Sequence, residues 1–401
     1  LRMTLPLLPL VVTALVSAAS GAEPPVARFF FNEQGKVIRQ ERDTNGDGKM
    51  NRWIYLDGAG KILRVEQDEN ADGKPDRRFY YNKDGVSRQE VSTGRDGRTD
   101  LWVSYNIRGE VERKEEDRDH DGKPDLWVIY ENNRPARREE DFNHDGGIDR
   151  VTLFKDGEIS STEEDTDGSG KMDTWSAYRE KRLVKKEMDK DGDGRADVVG
   201  HYREEHLVRQ EEDLNGDGKS DRILFFNEGA LERREESTRK DGRFDLVEIF
   251  TGGNLIQRFQ DSNGNGAPDT VVLFRGKQPS EQLSDTNGNG ALDLRVVFEN
   301  GEKMRQEADT NGDRRVDVWI YYQNGQRVRQ DEDRNFNGKV DARYTFANSQ
   351  LTGQRRLAEV EPDQTAQPFP SVQEEINRSK AQSEAGGVVQ ASRRGSGKAA
   401  Q

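Results

Sequence analysis

The chain has 401 residues, with 77 acidic against 63 basic side chains, a formal charge of −14, 31% hydrophobic residues and no cysteine. That composition leaves too little apolar surface for a thick globular core and excludes disulfides and a lipid-modified cysteine. The acidic excess is spread along the chain, which argues against nucleic acid as a partner, while Trp, Tyr and Phe at regular positions argue against uniform disorder.

Residues 1–22 run from Arg2 through an apolar stretch, Leu5 to Val16, to the small residues Ser20-Gly21-Ala22. This is the layout of a cleavable secretory signal, and its apolar part is too short to span a bilayer comfortably. The expectation is a mature chain without a membrane span that is secreted, periplasmic or at the cell surface; a retained anchor is the alternative. Residues 28–42 then read as a β-hairpin with no loop before it.

From there a nine-residue pattern, Asp-x-Asn/Asp-x-Asp/Asn-Gly-x-x-Asp, recurs thirteen times at spacings of 24 or 25 residues, starting at positions 43, 68, 92, 117, 141, 165, 189, 213, 237, 261, 285, 309 and 333. A fixed short period means one array of stacked units rather than several domains, here residues 26–361. Each unit reads as loop, strand, turn, strand. In residues 117–140 the loop is Asp117–Asp125 and the strand is Leu126–Tyr130, rich in aromatic and β-branched residues. The last strand position is aromatic in twelve repeats and Leu56 in the other. Turn pairs such as Asp156-Gly157 and Asn324-Gly325 reverse the chain. On the returning strand an aliphatic residue six places before most loops falls opposite that aromatic. A basic residue follows four places before the loop and an acid two before, as in Arg113 with Glu115 and Arg137 with Glu139. Period-two spacing assigns all three to one sheet face. The acid is either part of an Arg–Glu cross-strand ladder, the favoured reading, or an extra metal ligand.

Fourteen hairpins are too many for a flat sheet. The fold expected is all-β, an elongated, twisted antiparallel meander or superhelix of tandem hairpins; pairing of hairpins into a seven-bladed propeller is the alternative. Beyond residue 361 the repeat stops, and the composition of residues 362–401 predicts a disordered tail.

The loops carry the chemistry. Oxygen side chains at positions one, three, five and nine, with a glycine at six for the sharp turn, suit a hard cation such as Ca2+ better than Mg2+, whose octahedral demand is strict. The candidate ligands are Asp43, Asn45 and Asp47; Asp68, Asn70, Asp72 and Asp76; Asp117, Asp119, Asp121 and Asp125; Asp141, Asn143, Asp145 and Asp149; Asp165, Asp167, Ser169 and Asp173; Asp189, Asp191, Asp193 and Asp197. The later loops add Asp213, Asn215, Asp217 and Asp221; Asp261, Asn263, Asn265 and Asp269; Asp285, Asn287, Asn289 and Asp293; Asp309, Asn311, Asp313 and Asp317; and Asp333, Asn335, Asn337 and Asp341. Loops 117 and 189, with four carboxylates each, should bind tightest, and those with two Asn more weakly. Arg314 replaces the glycine of loop 309, which strains the turn. Loops 92 and 237 begin with Ser92 and Ser237, have Gly94 and Arg239 at position three, and are expected to hold no ion. About eleven Ca2+ sites remain; filling them adds 22 charges to −14, giving about +8.

The loop resembles the first nine residues of an EF-hand, without that loop's twelfth-position Glu and without flanking helices. It is more similar to the loops of FG-GAP and VCBS repeats, which run directly into a strand, as in residues 213–226 and 261–274. Thrombospondin type 3 repeats share the loop but need cysteines. The hairpins look like those of MORN and YD repeat proteins. The resemblance implies calcium as a structural staple rather than a signal.

The four histidines, His120, His144, His201 and His206, make no recognisable catalytic or zinc-helix arrangement. The function expected is a non-catalytic, secreted calcium-binding scaffold or adhesion module whose partner is an envelope polymer, glycan or surface protein. The alternative is a secreted hydrolase or carbohydrate-active protein with a propeller-type site.

Overall fold

The computed structural model describes residues 11–15, 26–363 and 367–378. Of the leader stretch only Val11–Leu15 is described, as a strand paired with Val26–Phe31; the rest of residues 1–22, and residues 379–401, lie outside the described residues. Fourteen hairpins supply 28 strands from Val26–Phe31 to Gln350–Val360. Contacts divide the chain into two compact units, up to Leu183 and from Val184.

Within each unit every strand is antiparallel to its neighbours in sequence, so the architecture is an all-β hairpin meander. Strand Leu126–Glu131 shows the rule: it pairs with Val111–Glu116 before it and Arg134–Glu140 after it. The second contact joins two halves of one hairpin, the first joins successive hairpins, and no break occurs after every fourth strand. Propeller blades would require such breaks, so the seven-bladed alternative is not formed.

The two spacings have one cause. Most hairpins turn in two residues, as between Glu131 and Arg134. The repeats of 25 residues instead contain five-residue turns at 57–61 and 106–110. There Asp57 accepts the N–H groups of Ala59 and Lys61, and Asn106 those of Arg108 and Glu110. The first hairpin uses Asn32 the same way.

Register places the aromatic opposite the aliphatic, as expected: Phe154 with Ile159, Tyr202 with Leu207, Phe226 with Leu231. Next to that pair, however, the returning strands within each unit carry a β-bulge. Phe154 faces Ile159 but Leu153 faces Ser161, leaving Ser160 unpaired in the ladder, with its hydroxyl donating to the Leu153 carbonyl at 3.1 Å. One extra residue inverts the alternation. The single face expected for aliphatic, base and acid is therefore corrected: the aliphatic shares a face with the aromatic, and the basic–acidic pairs occupy the other face.

On that second face the ion pairs run mainly along one strand rather than across strands: Arg64–Glu66 at 3.2 Å, Arg113–Glu115 at 2.6 Å, Arg137–Glu139 at 2.7 Å and Arg329–Asp331 at 3.0 Å. The cross-strand neighbours of the acids are often tryptophans, such as Trp127 opposite both Glu115 and Glu139. Where the neighbour is Arg, a bridge crosses: Arg343 clamps Asp331 with two contacts of 2.8 and 2.9 Å. Guanidinium groups also lie over rings, as Arg64 does over Tyr55 at 4.2 Å.

The second unit has an apolar cluster of Phe259, Val271, Leu283, Leu292, Val316, Trp319, Val340, Phe369 and Val372. Phe259 and Leu283 stand where other repeats place the acid. Residues 367–378, expected to belong to a disordered tail, pack over them. Phe369 donates its N–H to the Arg314 carbonyl at 2.9 Å, and residues 372–378 form a helical turn. Ser371 and Glu374 close its start reciprocally, N–H of Glu374 to the Ser371 hydroxyl and N–H of Ser371 to the Glu374 carboxylate. Among the described residues no helix is long and apolar enough to cross a membrane.

The turn Glu204-Glu205 holds two non-glycine residues at φ 51° and 69°. Such left-handed residues cost about 1–2 kcal/mol each. Replacing the pair with Asn-Gly should raise the urea midpoint of the second unit by a stabilisation of about 1–2 kcal/mol, followed by hydrogen exchange of the flanking strands; an unchanged or lower midpoint would contradict the turn geometry.

Candidate metal centres

Within each unit a loop joins one hairpin to the next along the edge opposite the turns, and successive loops are hydrogen bonded. The N–H of position one reaches the carbonyl of position nine in the preceding loop, as Asp68 to Asn51, Asp117 to Asp100 and Asp333 to Asp317, at 2.8–2.9 Å. Inside a loop the oxygen side chains take amide N–H groups at fixed offsets. In loop 213, Asp213 accepts from Gly216 and Gly218, Asn215 from Asp217, and Asp217 from Lys219, all at 2.7–3.1 Å. Asp221 closes the loop by accepting from Leu214.

The same fold forms without the first carboxylate. In loop 92 the hydroxyl of Ser92 accepts from Asp96 and Gly97 at 3.2 Å, and Asp100 accepts from Thr93. In loop 237 the guanidinium of Arg239 at position three lies 3.3 Å from Asp245 Oδ2, a cation supplied by the chain itself. Arg314 keeps the glycine's bond, N–H to Asp309 at 2.7 Å, but at φ 70°.

Position four separates the loops into two groups. Where it is Gly, as at 46, 168, 192, 216, 264, 288 and 312, its N–H occupies Oδ1 of the first Asp. Where it is Ala71, His120, His144 or Phe336, that bond is not made, although Asp333 Oδ1 accepts instead from the Asn337 N–H at 3.2 Å. Oδ1 of Asp68, Asp117 and Asp141 is then buried without a hydrogen-bond partner, as is Oδ1 of the ninth-position Asp76 and Asp221. All five residues are at most 6% exposed. Carboxylate oxygens from Asp117, Asp119 and Asp121, from Asp165, Asp167 and Asp173, and from Asp189, Asp191 and Asp197 lie within 4.8 Å of one another. Two oxygens on opposite sides of one Ca2+ are about 4.6–5.2 Å apart, so these donor sets fit that ion.

Within each unit the sequence-derived ligand positions thus fall in loops on one edge, each set inside its own nine residues. Asn51, at position nine of the first loop, belongs with them: its Oδ1 accepts from Thr44 at 2.9 Å, as the ninth-position Asp does elsewhere. Strict reading of the pattern passes over it because the residue is an amide. His201 and His206 are strand residues, His201 Nε2 meeting Glu211 at 3.0 Å.

Several carboxylates in these loops titrate low. The Asp121 N–H holds Asp119 below the usual carboxylate range, with help from the His144 ring. The Arg98 and Arg243 N–H groups do so for Asp96 and Asp241. For Asp213 and Asp245 burial acts upward but is outweighed, by the N–H groups of Gly218 and Asn215 and by the hydroxyl and N–H of Thr238 respectively. Asp317 goes the other way, because burial dominates.

No family model matches this chain, and no curated protein does. Among solved structures, a chain of the Photorhabdus luminescens Tc holotoxin pore is 13% identical, with TM-score 0.12; the match covers 80% of this chain and 24% of that one. A porin-like protein from Bacteroides uniformis is 11% identical, with TM-score 0.11, over 55% of this chain and 92% of that one.

A lowered carboxylate contributes stability that is complete above the unfolded Asp value of about 3.9 and is lost as pH falls through the folded value. In calcium-free buffer the melting temperature should therefore stay level from pH 7 to about 5 and drop below about 4. A rise on acidification would mean that repulsion between the carboxylates outweighs their bonds to the loop amides.

Proposed function

We propose that this chain is a non-catalytic, exported scaffold or adhesion module in which Ca2+ staples successive hairpins along one edge. The observation that carries this reading is the set of buried carboxylate oxygens without donors on Asp68, Asp76, Asp117, Asp141 and Asp221. A buried charged oxygen left unpaired is costly, and a divalent cation removes that cost. These atoms sit at loop positions one and nine, the same positions that the pattern assigns as ligands.

Two further features support it. In loop 237, which departs from the pattern, Arg239 brings a positive charge to the ninth-position carboxylate, so cation and guanidinium are alternatives at one place. The hydrogen bonds from loop to loop mean that an ion held in one loop also steadies its neighbour. The apolar leader-type stretch from Leu5 to Val16 supports export to a compartment where calcium is plentiful. The partner is then an envelope polymer, a glycan or a surface protein. A hydrolase reading relied on the central pocket of a propeller, an arrangement this meander does not make.

Calorimetric titration of the calcium-stripped chain, with small-angle scattering on the same samples, tests the proposal. The expected result is binding of about eleven ions, a higher melting temperature and a smaller hydrodynamic radius. Asp76→Asn and Asp221→Asn should each remove about one ion from the stoichiometry, whereas Asp241→Asn should remove none. Melting temperature and radius that stay constant across an EGTA titration would sink the calcium reading.

A further inference from the structure

In several loops position four points toward position three of the loop before it. A Cβ added at Gly216 would lie 3.6 Å from Asp191 Oδ2, and one at Gly264 would lie 3.1 Å from Arg239 Nη1. Asn70 donates to the Arg95 carbonyl at 2.8 Å and Asn215 to the Lys240 carbonyl at 3.0 Å, again position three to position four of the next loop. Most loops place glycine there, so nothing enters the preceding loop. His144 occupies this position in loop 141, at φ 59°.

Its Nδ1 lies 3.3 Å from Asp119 Oδ2 and 3.9 Å from Asp125 Oδ2, and donor atoms of all three residues lie within 4.8 Å of one another. These residues line a cavity of about 170 Å³ together with Asp141. Asp141 is 6% exposed, its Oδ2 is taken by the Gly146 N–H at 3.0 Å, and its Oδ1 has no hydrogen-bond partner. Arg118 and Glu140 also line the cavity; that guanidinium is balanced by Glu116 at 3.4 Å and Glu140 at 3.6 Å.

We propose that Asp119, Asp125 and His144, with Asp141 on the wall of the same cavity, form a site for a first-row transition metal of the zinc class, at the junction of loops 117–125 and 141–149. Carboxylates with an imidazole are a mixed oxygen–nitrogen set, which suits Zn2+ and its neighbours, whereas calcium takes oxygen alone. Two ligands at about 2.05 Å from a tetrahedral zinc are about 3.3 Å apart, the separation of His144 Nδ1 from Asp119 Oδ2. The 3.9 Å to Asp125 closes with a small movement of a ring that is 40% exposed. The cluster does not recur at His120. That ring points to Asp100 at 3.9 Å, in a loop whose third position is Gly94 and supplies no carboxylate.

The site goes beyond the calcium reading, and the test separates them. The untagged, metal-stripped full chain is titrated with ZnCl2 in saturating calcium, and Co2+ is used in parallel as an optical probe. One zinc ion should bind tightly and displace the calcium that shares Asp119 and Asp125, and Co2+ should give an intense visible absorption typical of four-coordination. His144→Gly places at this position the residue most other loops carry, compatible with its left-handed backbone. It should weaken zinc binding at least about tenfold and abolish the Co2+ band, leaving calcium stoichiometry unchanged and the melting temperature no lower. His201→Gly is the control and should leave zinc binding as it was. Zinc affinity unchanged in His144→Gly, zinc displaced by calcium, or loss of the site in the His201 variant would each overturn the proposal. A chain that binds zinc but is not stabilised by calcium would refute only the scaffold's calcium chemistry.

Discussion

Everything in this array depends on how its loops satisfy backbone N–H groups. A nine-residue reversal between strands exposes amides that no sheet partner can reach, and burying them unpaired is expensive. The chain meets this with carboxylates and side-chain amides at alternate positions, each accepting from the residue two or more places on. Ser92 and Ser237 do the same work with a hydroxyl. The acidic pattern therefore has a structural role before any ion is considered. What distinguishes ion chemistry from turn chemistry is the surplus: oxygens such as Asp117 Oδ1 and Asp221 Oδ1 that remain after the amides are served.

The β-bulge beside each aromatic organises the rest. By inverting side-chain alternation once per hairpin, it lets one short strand present an aliphatic residue to one face and an Arg–Glu pair to the other. The sheet can then be a single layer with few wholly buried apolar residues, because arginine stems and tryptophans cover one side while aromatics cover the other. Where the second unit replaces the acid by Phe259 and Leu283, that covering is lost, and residues 367–378 supply it instead.

Much of this was legible in the residues. The period, the hairpins, the aromatic–aliphatic pairing and the position of every loop follow from spacing alone, since strand alternation and turn residues leave little choice. The bulge was not legible, because no residue type marks it: Ser160, Ala136 and Val208 occupy equivalent places. The ordered segment after the array was hidden by its composition, although Ser371-x-x-Glu374 beside Phe369 is a capping signature. The junction of His144 with the preceding loop needed the offset between stacked loops, which is a property of the sheet and not of either loop. Asn51 escapes a pattern that admits only a carboxylate at position nine.

The two turn lengths carry a consequence for engineering. Adding a residue between loops 43 and 68, or 92 and 117, is absorbed wholly at the hairpin edge, where the longer turn closes on Asp57 or Asn106, while every loop on the other edge stays at nine. One rim of the sheet thus tolerates insertions and the other does not. Within a unit, peptide segments grafted into the turns should lie side by side at the repeat spacing without shifting strand register, which makes the turn rim a natural place for sequence diversity.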